Sequence, residues 1–175
     1  LLTAGEFQAG ITGGSLGLLL QSGGGVILQA SGTPVLRLPG ALAEVSMQQV
    51  TVYYNSTKLA VKQSLTVGAV TAPIDVPGST IAVVVKGFEA VIGGSVRLSG
   101  DFGFQKRGDD LSLVVAGAKA SLKVGSFEVG VRDASVGALI KSNGTLALQV
   151  SGTPFLETGA DFPSLLKFSG TEVVI

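Results

Sequence analysis

Residues 1–36 can be laid on residues 121–156 without a gap, and the two stretches agree at 16 positions. Ordinary residue usage gives ~6–8% agreement per position, or about three matches by chance. The core of the match is Ser15-x-Gly17-x-Leu19 against Ser135-x-Gly137-x-Leu139. It continues as Leu28-Gln29-x-Ser31-Gly32-Thr33-Pro34-x-Leu36 against Leu148-Gln149-x-Ser151-Gly152-Thr153-Pro154-x-Leu156. After one inserted residue, Val50-Thr51-Val52-Tyr53-Tyr54 falls on Thr171-Glu172-Val173-Val174-Ile175. A repeat of this length constrains the fold strongly, because each unit must offer its neighbour the surface that the neighbour offers to the next. Residues 1–120 read as one complete unit and residues 121–175 as the first half of the next. The apolar ends, Leu1-Leu2 and Val173-Val174-Ile175, suit a piece of a longer polypeptide, since natural termini are usually polar and frayed.

Within a unit the pattern is β. Val96, Leu98, Phe102 and Phe104 alternate with Arg97, Ser99, Asp101 and Gln105; Leu59, Val61, Leu65 and Val67 alternate with Lys62 and Thr66 between them; Leu146, Leu148 and Val150 repeat the spacing. Period two with one polar side predicts half-buried antiparallel strands. Twenty-six Gly and a single Met among 175 residues suit strands and turns and would weaken helices. The one helical turn expected is Gly40 to Glu44. Roughly eight strands are predicted, at 5–21, 25–38, 44–54, 58–70, 79–92, 95–106, 110–124 and 127–141, with a hairpin turn at Ser142-Asn143-Gly144.

Two of these strands change phase midway. Leu111, Leu113 and Val115 are odd-numbered, whereas Ala118, Ala120, Leu122 and Val124 are even; Phe127, Val129 and Val131 are odd, whereas Ala134, Val136, Ala138 and Ile140 are even. A slip of one residue turns every side chain to the other face, so bulges are expected at Ala116-Gly117 and Asp133-Ala134. The fold class is therefore all-β: an antiparallel meander of long bent strands in continuous tandem units, a sandwich- or solenoid-like rod. No Pro-rich linker separates the units, and continuous sheet would cover each unit's edges with its neighbour.

The inventory of reactive side chains is short. The chain has no His, Cys or Trp, and its 12 basic and 12 acidic residues balance. Imidazole bases, thiol nucleophiles, Ser-His-Asp triads and Cys or His metal sites are excluded, and so are disulfides. The balance of charge removes the electrostatic footprint of nucleic-acid binding. No apolar run approaches the ~18 residues of a membrane-spanning helix.

Several segments carry a resemblance. Leu98-Ser99-Gly100-Asp101-Phe102-Gly103-Phe104-Gln105-Lys106, Val52-Tyr53-Tyr54-Asn55-Ser56-Thr57 and Phe127-x-Val129-x-Val131 resemble recurring phrases of the giant β-strand-repeat exoproteins of Gram-negative bacteria, approximately LSGDFxFE, VxxNTT and FVxVxNGxGxL. Asp133-Ala134-Ser135 stands where that pattern has Asn-Gly. The resemblance implies a secreted or surface-attached protein with a structural or adhesive role, and it brings no catalytic residues.

The remaining candidates are turn and carboxylate residues. Arg107-Gly108-Asp109 is the tripeptide read by integrins, set on a predicted hairpin tip; a polar turn is the alternative reading. Asp109 and Asp110, with Asp101 or Asp133, offer oxygen ligands for Ca²⁺ without a recognised Asp spacing. Asn55 and Asn143 both head Asn-x-Thr sequons, glycosylation sites if the source is eukaryotic, and turn caps otherwise. Glu6, Glu89 and Glu128 fall on different strands, which argues against a glycosidase pair, with Glu128 the outward residue between Phe127 and Val129. Gly23-Gly24-Gly25 lacks the Lys and helix of a phosphate loop. Tyr53 and Tyr54 should face opposite ways, one of them inward with Val50 and Val52.

These readings converge on a non-catalytic structural repeat of a large extracellular fibre, sheath or cell-surface protein, with no cofactor. Its partners would be further copies of the same repeat or identical subunits end to end. An adhesin stalk or binding module, and then a β-barrel holding a small apolar ligand, are the alternatives.

Overall fold

The computed structural model describes residues 2–4, 7–37, 43–158 and 173–174. Its strands, in chain order, are β1 (Leu2–Ala4), β2 (Phe7–Leu20), β3 (Val26–Arg37), β4 (Ala43–Ser46), β5 (Gln49–Asn55), β6 (Val61–Val67), β7 (Val70–Val76), β8 (Thr80–Ile92), β9 (Val96–Arg107), β10 (Asp110–Val124), β11 (Phe127–Ile140), β12 (Leu146–Thr158) and β13 (Val173–Val174). There is no helix among the described residues, and so none long and apolar enough to cross a membrane.

The fold is all-β and antiparallel. The main sheet runs β1-β2-β3-β5-β8-β9-β10-β11-β12-β13, with β4 beside β8 in line with β5. It is an open meander: β1 and β13 lie at opposite edges, and each covers only a few residues of its neighbour. The hairpin β6–β7 leaves this order and forms a separate two-stranded sheet.

Bulges stand at Ala116-Gly117 and Asp133-Ala134, where the phase of the sequence flips: the ladder slips between Ala116 and Lys119 on β10 and between Arg132 and Ser135 on β11. Gly117 and Asp133 both hold positive φ, 58° and 52°. Further slips fall between Thr12 and Ser15 on β2 and between Val85 and Phe88 on β8, and the β4–β5 line breaks at Met47-Gln48. The registers set these irregularities side by side. Val50 pairs with Gly32 and Val85, Phe88 with Gly100, and Asp101 with Ala116. A single transverse line of bulges thus crosses the sheet halfway along its long strands. Asp101 braces it by accepting a hydrogen bond from Gly87 N at 2.8 Å.

A bulge adds one residue, so the flip in phase keeps the apolar residues on one face throughout. Register pairs such as Leu18–Leu28, Val52–Val83, Val83–Phe104, Phe104–Leu113, Leu113–Ala138 and Ala138–Leu148 put that face on β2, β3, β5 and each of β8 to β12. The compact core lies on the other face. There β6–β7 packs on β2, β3 and β5, burying Ile27, Ile74 and Val76 against Leu19, Tyr53, Val61 and Leu65.

Three sequence expectations need correction. The strand predicted at 58–70 is the hairpin β6–β7, turning at Gly68-Ala69; β7 carries Pro73, which an edge strand tolerates because its outer side needs no ladder donor. Of the helical turn expected from Gly40 to Glu44, Ala43 and Glu44 lie instead in β4, pairing with Ile92 and Val91; residues 40–42 fall outside the described residues. Tyr54 shares a face with Val50 and Val52 yet is 37% exposed, whereas Tyr53 is the ring set against the core.

Candidate functional site

The most extensive chemical feature of the molecule is the apolar face. Leu16, Leu20, Leu146 and Leu148 are 57–67% exposed, and among the described residues every large exposed apolar side chain of the main sheet except Val114 lies on this face. Away from the bulges, Lys106 is its one charged residue among the described strands. Monomers rarely expose contiguous apolar patches beyond a few hundred Å², which makes this face the first candidate for a functional surface. Phe88 and Phe102 meet edge-on at 5.2 Å beside the line of bulges, where Ala90 and Val115 are also buried.

On the opposite face the hairpin is held by both packing and polar contacts. Gln29 Oε1 accepts a hydrogen bond from Asp75 N at 2.7 Å, and Lys62 pairs with Asp75 at 2.6 Å. Asn55 is buried at the hinge. Its Nδ2 donates to Leu59 O (2.9 Å) and Val76 O (3.3 Å), while its Oδ1 accepts from Thr57 N (2.9 Å) and Thr57 Oγ1 (2.7 Å). A glycan on Nδ2 would replace one of its two hydrogens and so cost one of the two bonds that anchor the hairpin. The other sequon residue, Asn143, sits exposed in the β11–β12 turn, where its Oδ1 accepts from Thr145 N at 3.0 Å.

The β11–β12 turn repeats the β2–β3 turn in detail. Lys141 N donates to Thr145 O and Gly144 N to Lys141 O, both at 2.9 Å; 120 residues earlier, Gln21 N donates to Gly25 O at 2.8 Å and Gly24 N to Gln21 O at 2.9 Å. Gly24 and Gly144 have φ of 81° and 80°. The slips at Thr12/Ser15 and Arg132/Ser135 are likewise 120 residues apart.

Arg107, Gly108 and Asp109 form the exposed tip between β9 and β10, with Gly108 at φ 61°. The aspartates do not gather. Asp101 braces the bulges, Asp110 accepts from Ser142 N at 3.0 Å, and no group of three or more metal-ligating residues comes together among the described residues. Glu6 lies outside the described residues, and Glu89 is exposed on β8.

Glu128 has more partners than its position in the sequence suggests. Its Oε1 takes a hydrogen bond from Ser121 Oγ at 2.7 Å and an ion pair from Lys119 Nζ at 2.7 Å, and these two contacts, Lys119 foremost, hold its carboxyl below the usual range. Lys119 and Arg132 also lie over the buried ring of Phe155, at 4.9 and 5.5 Å from its centroid. The sequence separations hide this cluster; only the register of β10, β11 and β12 assembles it. It is a cross-strand clasp of one carboxylate, two cations, a hydroxyl and a ring.

No family model, curated protein or solved structure matches this chain.

Proposed function

We propose that this chain is a structural repeat segment of a large extracellular fibre, sheath or cell-surface protein, acting through assembly and not through chemistry on a substrate. One observation carries the reading: β10 pairs with β11 along eleven registered positions, so the residues matching 1–36 join the same sheet as the residues they match. Units of this kind add as further strands, without a linker between them. The apolar face supports the reading too. It runs the width of the sheet, is nearly free of charge, and a second sheet laid against it meets no like-charge repulsion.

The geometry sets a length. Six strand steps separate β2 from β11, and at ~4.8 Å per step a unit would advance the fibre by about 29 Å. Electron microscopy and fibre diffraction of the purified protein test this. Filaments with a meridional spacing near 4.8 Å and an axial repeat near 29 Å are expected, and charged substitutions at Val173 and Ile175 should shorten them. A chain that stays monomeric at high concentration overturns the reading.

The exposed Arg107-Gly108-Asp109 tip favours a second reading, an adhesin stalk. Cell attachment that is lost on Asp109→Glu would support it.

A further inference from the structure

We infer that the face of β11 and β12 opposite the apolar face is a vacant seat for a β-hairpin of the Val61–Val76 kind, supplied by a further copy of this repeat. The inference rests on the repeat reading for the source of the hairpin and on the molecule's own occupied seat for its chemistry.

In the occupied seat, β6–β7 lies across Gly17, Leu19, Ile27 and Gln29. Gly17 is buried, and a Cβ built there would sit 2.8 Å from Ile74 Cγ1, so the hairpin approaches as closely as it does only over glycine. Ile27 is fully covered, and Gln29 reaches up to the Asp75 amide. One hundred and twenty residues on, the same places hold Gly137, Leu139, Ala147 and Gln149. Glycine, leucine and glutamine are retained. The register is retained as well: Gly17 pairs with Gln29 and Leu19 with Ile27, as Gly137 pairs with Gln149 and Leu139 with Ala147.

The cover is what differs. A Cβ at Gly137 would have nothing within 4 Å, and both Ala147 and Gln149 are exposed. An open groove of about 480 Å³ runs over Ser112, Val114, Gly137, Leu139, Ala147 and Gln149. Val114, at 53%, is the large apolar residue left exposed on this face of the main sheet among the described residues. A glycine with open space above it and an outward glutamine are what the occupied seat would show with its hairpin lifted away. The alternation of buried and exposed residues in β7 supplies the complementary surface, with Ile74 and Val76 inward and Asp75 offering its amide.

The test adds a synthetic peptide of residues 58–79, closed by a disulfide between added terminal cysteines, to the full 175-residue chain. Hydrogen exchange is followed by mass spectrometry. Exchange should slow across residues 135–150 in proportion to bound peptide. Gly137→Val should weaken binding at least tenfold while leaving the melting temperature of the chain alone nearly unchanged, because the new side chain enters empty space. A peptide carrying Ile74→Asp should fail to protect the seat.

No protection of residues 135–150 at millimolar peptide, or binding undiminished by Gly137→Val, overturns the inference. Filaments that form with the seat still fast-exchanging would do the same and leave the fibre reading standing. Peptide protection of a chain that never assembles would have the reverse meaning.

Discussion

The hydroxyl oxygens of Ser15 and Ser31 lie 3.0 Å apart across β2 and β3, at the first register pair after the bulge at Gly13-Gly14. Ser135 and Ser151 make the same contact at 2.7 Å across β11 and β12, after the bulge at Asp133-Ala134. Hydroxyl pairs of this kind are a unit of sheet stabilisation and help hold the register where the bulge has disturbed it. Replacing Ser151 by Val leaves one hydroxyl facing a methyl group, and should lower stability by about 0.5 kcal/mol, read from urea midpoints.

Asp133 and Gly13 hold nearly the same backbone, φ 52° and 58°, at the same place in their bulges. Left-handed φ strains a residue with a Cβ by about 1 kcal/mol, less for Asp than for most. Asp133→Gly should therefore stabilise the chain by up to about 1 kcal/mol, and Gly13→Val should destabilise it by about 1–2 kcal/mol. Equal midpoints for Asp133→Gly and the parent would show that the bulge is not strained.

Asn55 satisfies both ends of its side chain in a buried place. Asn55→Ala leaves the carbonyls of Leu59 and Val76 without those donors, a loss of about 2–3 kcal/mol. The loss should be local, with exchange accelerating in β6 and β7 while β10 and β11 keep their protection. Uniform acceleration would mean that hairpin and sheet unfold together.

Glu128 is held below the ordinary carboxylate value by Lys119 and Ser121. A depressed folded-state value gives stability that is present above pH ~4.5 and is lost as pH falls through the folded value. The side chain is 17% exposed and its partner Lys119 40%, so the expected contribution is about 1 kcal/mol. Glu128→Gln should lie below the parent by that amount at pH 7, and the difference should shrink as the pH falls below ~4.5. A difference that stays constant as the pH falls would assign the effect to packing and not to charge.

The apolar face should govern association without governing folding. Leu16→Lys together with Leu148→Lys alters two side chains 61% and 57% exposed, so unfolding midpoints should shift little while light scattering reports smaller particles. Unchanged particle size would direct attention to the strand edges instead.

Much of this architecture is legible in the residues. The phase flips at Ala116-Gly117 and Asp133-Ala134 locate two bulges, and Ser142-Asn143-Gly144 locates a hairpin, because both are local consequences of backbone geometry. β7 is hidden because Pro73 and Asp75 are poor strand formers whose cost is small only at an edge. Which face is covered is also hidden. Alternation distinguishes Val52 from Tyr53, yet the face that carries Val52 is left open while Tyr53 meets the core, since the covering element is a distant hairpin that selects the glycine of position 17. The Lys119–Glu128–Phe155 clasp needs three strands in register before it exists.

The line of bulges has a mechanical consequence. Each bulge bends its strand, and because the bends stand side by side they bend the sheet along an axis perpendicular to the strands. That axis is also the direction in which further strands would add. A flat ribbon flexes readily out of its plane, but one folded lengthwise behaves as an angle beam, its material moved away from the neutral axis and its second moment of area raised. Main-chain hydrogen bonds would carry tension along such a beam, while the fold would supply its resistance to buckling.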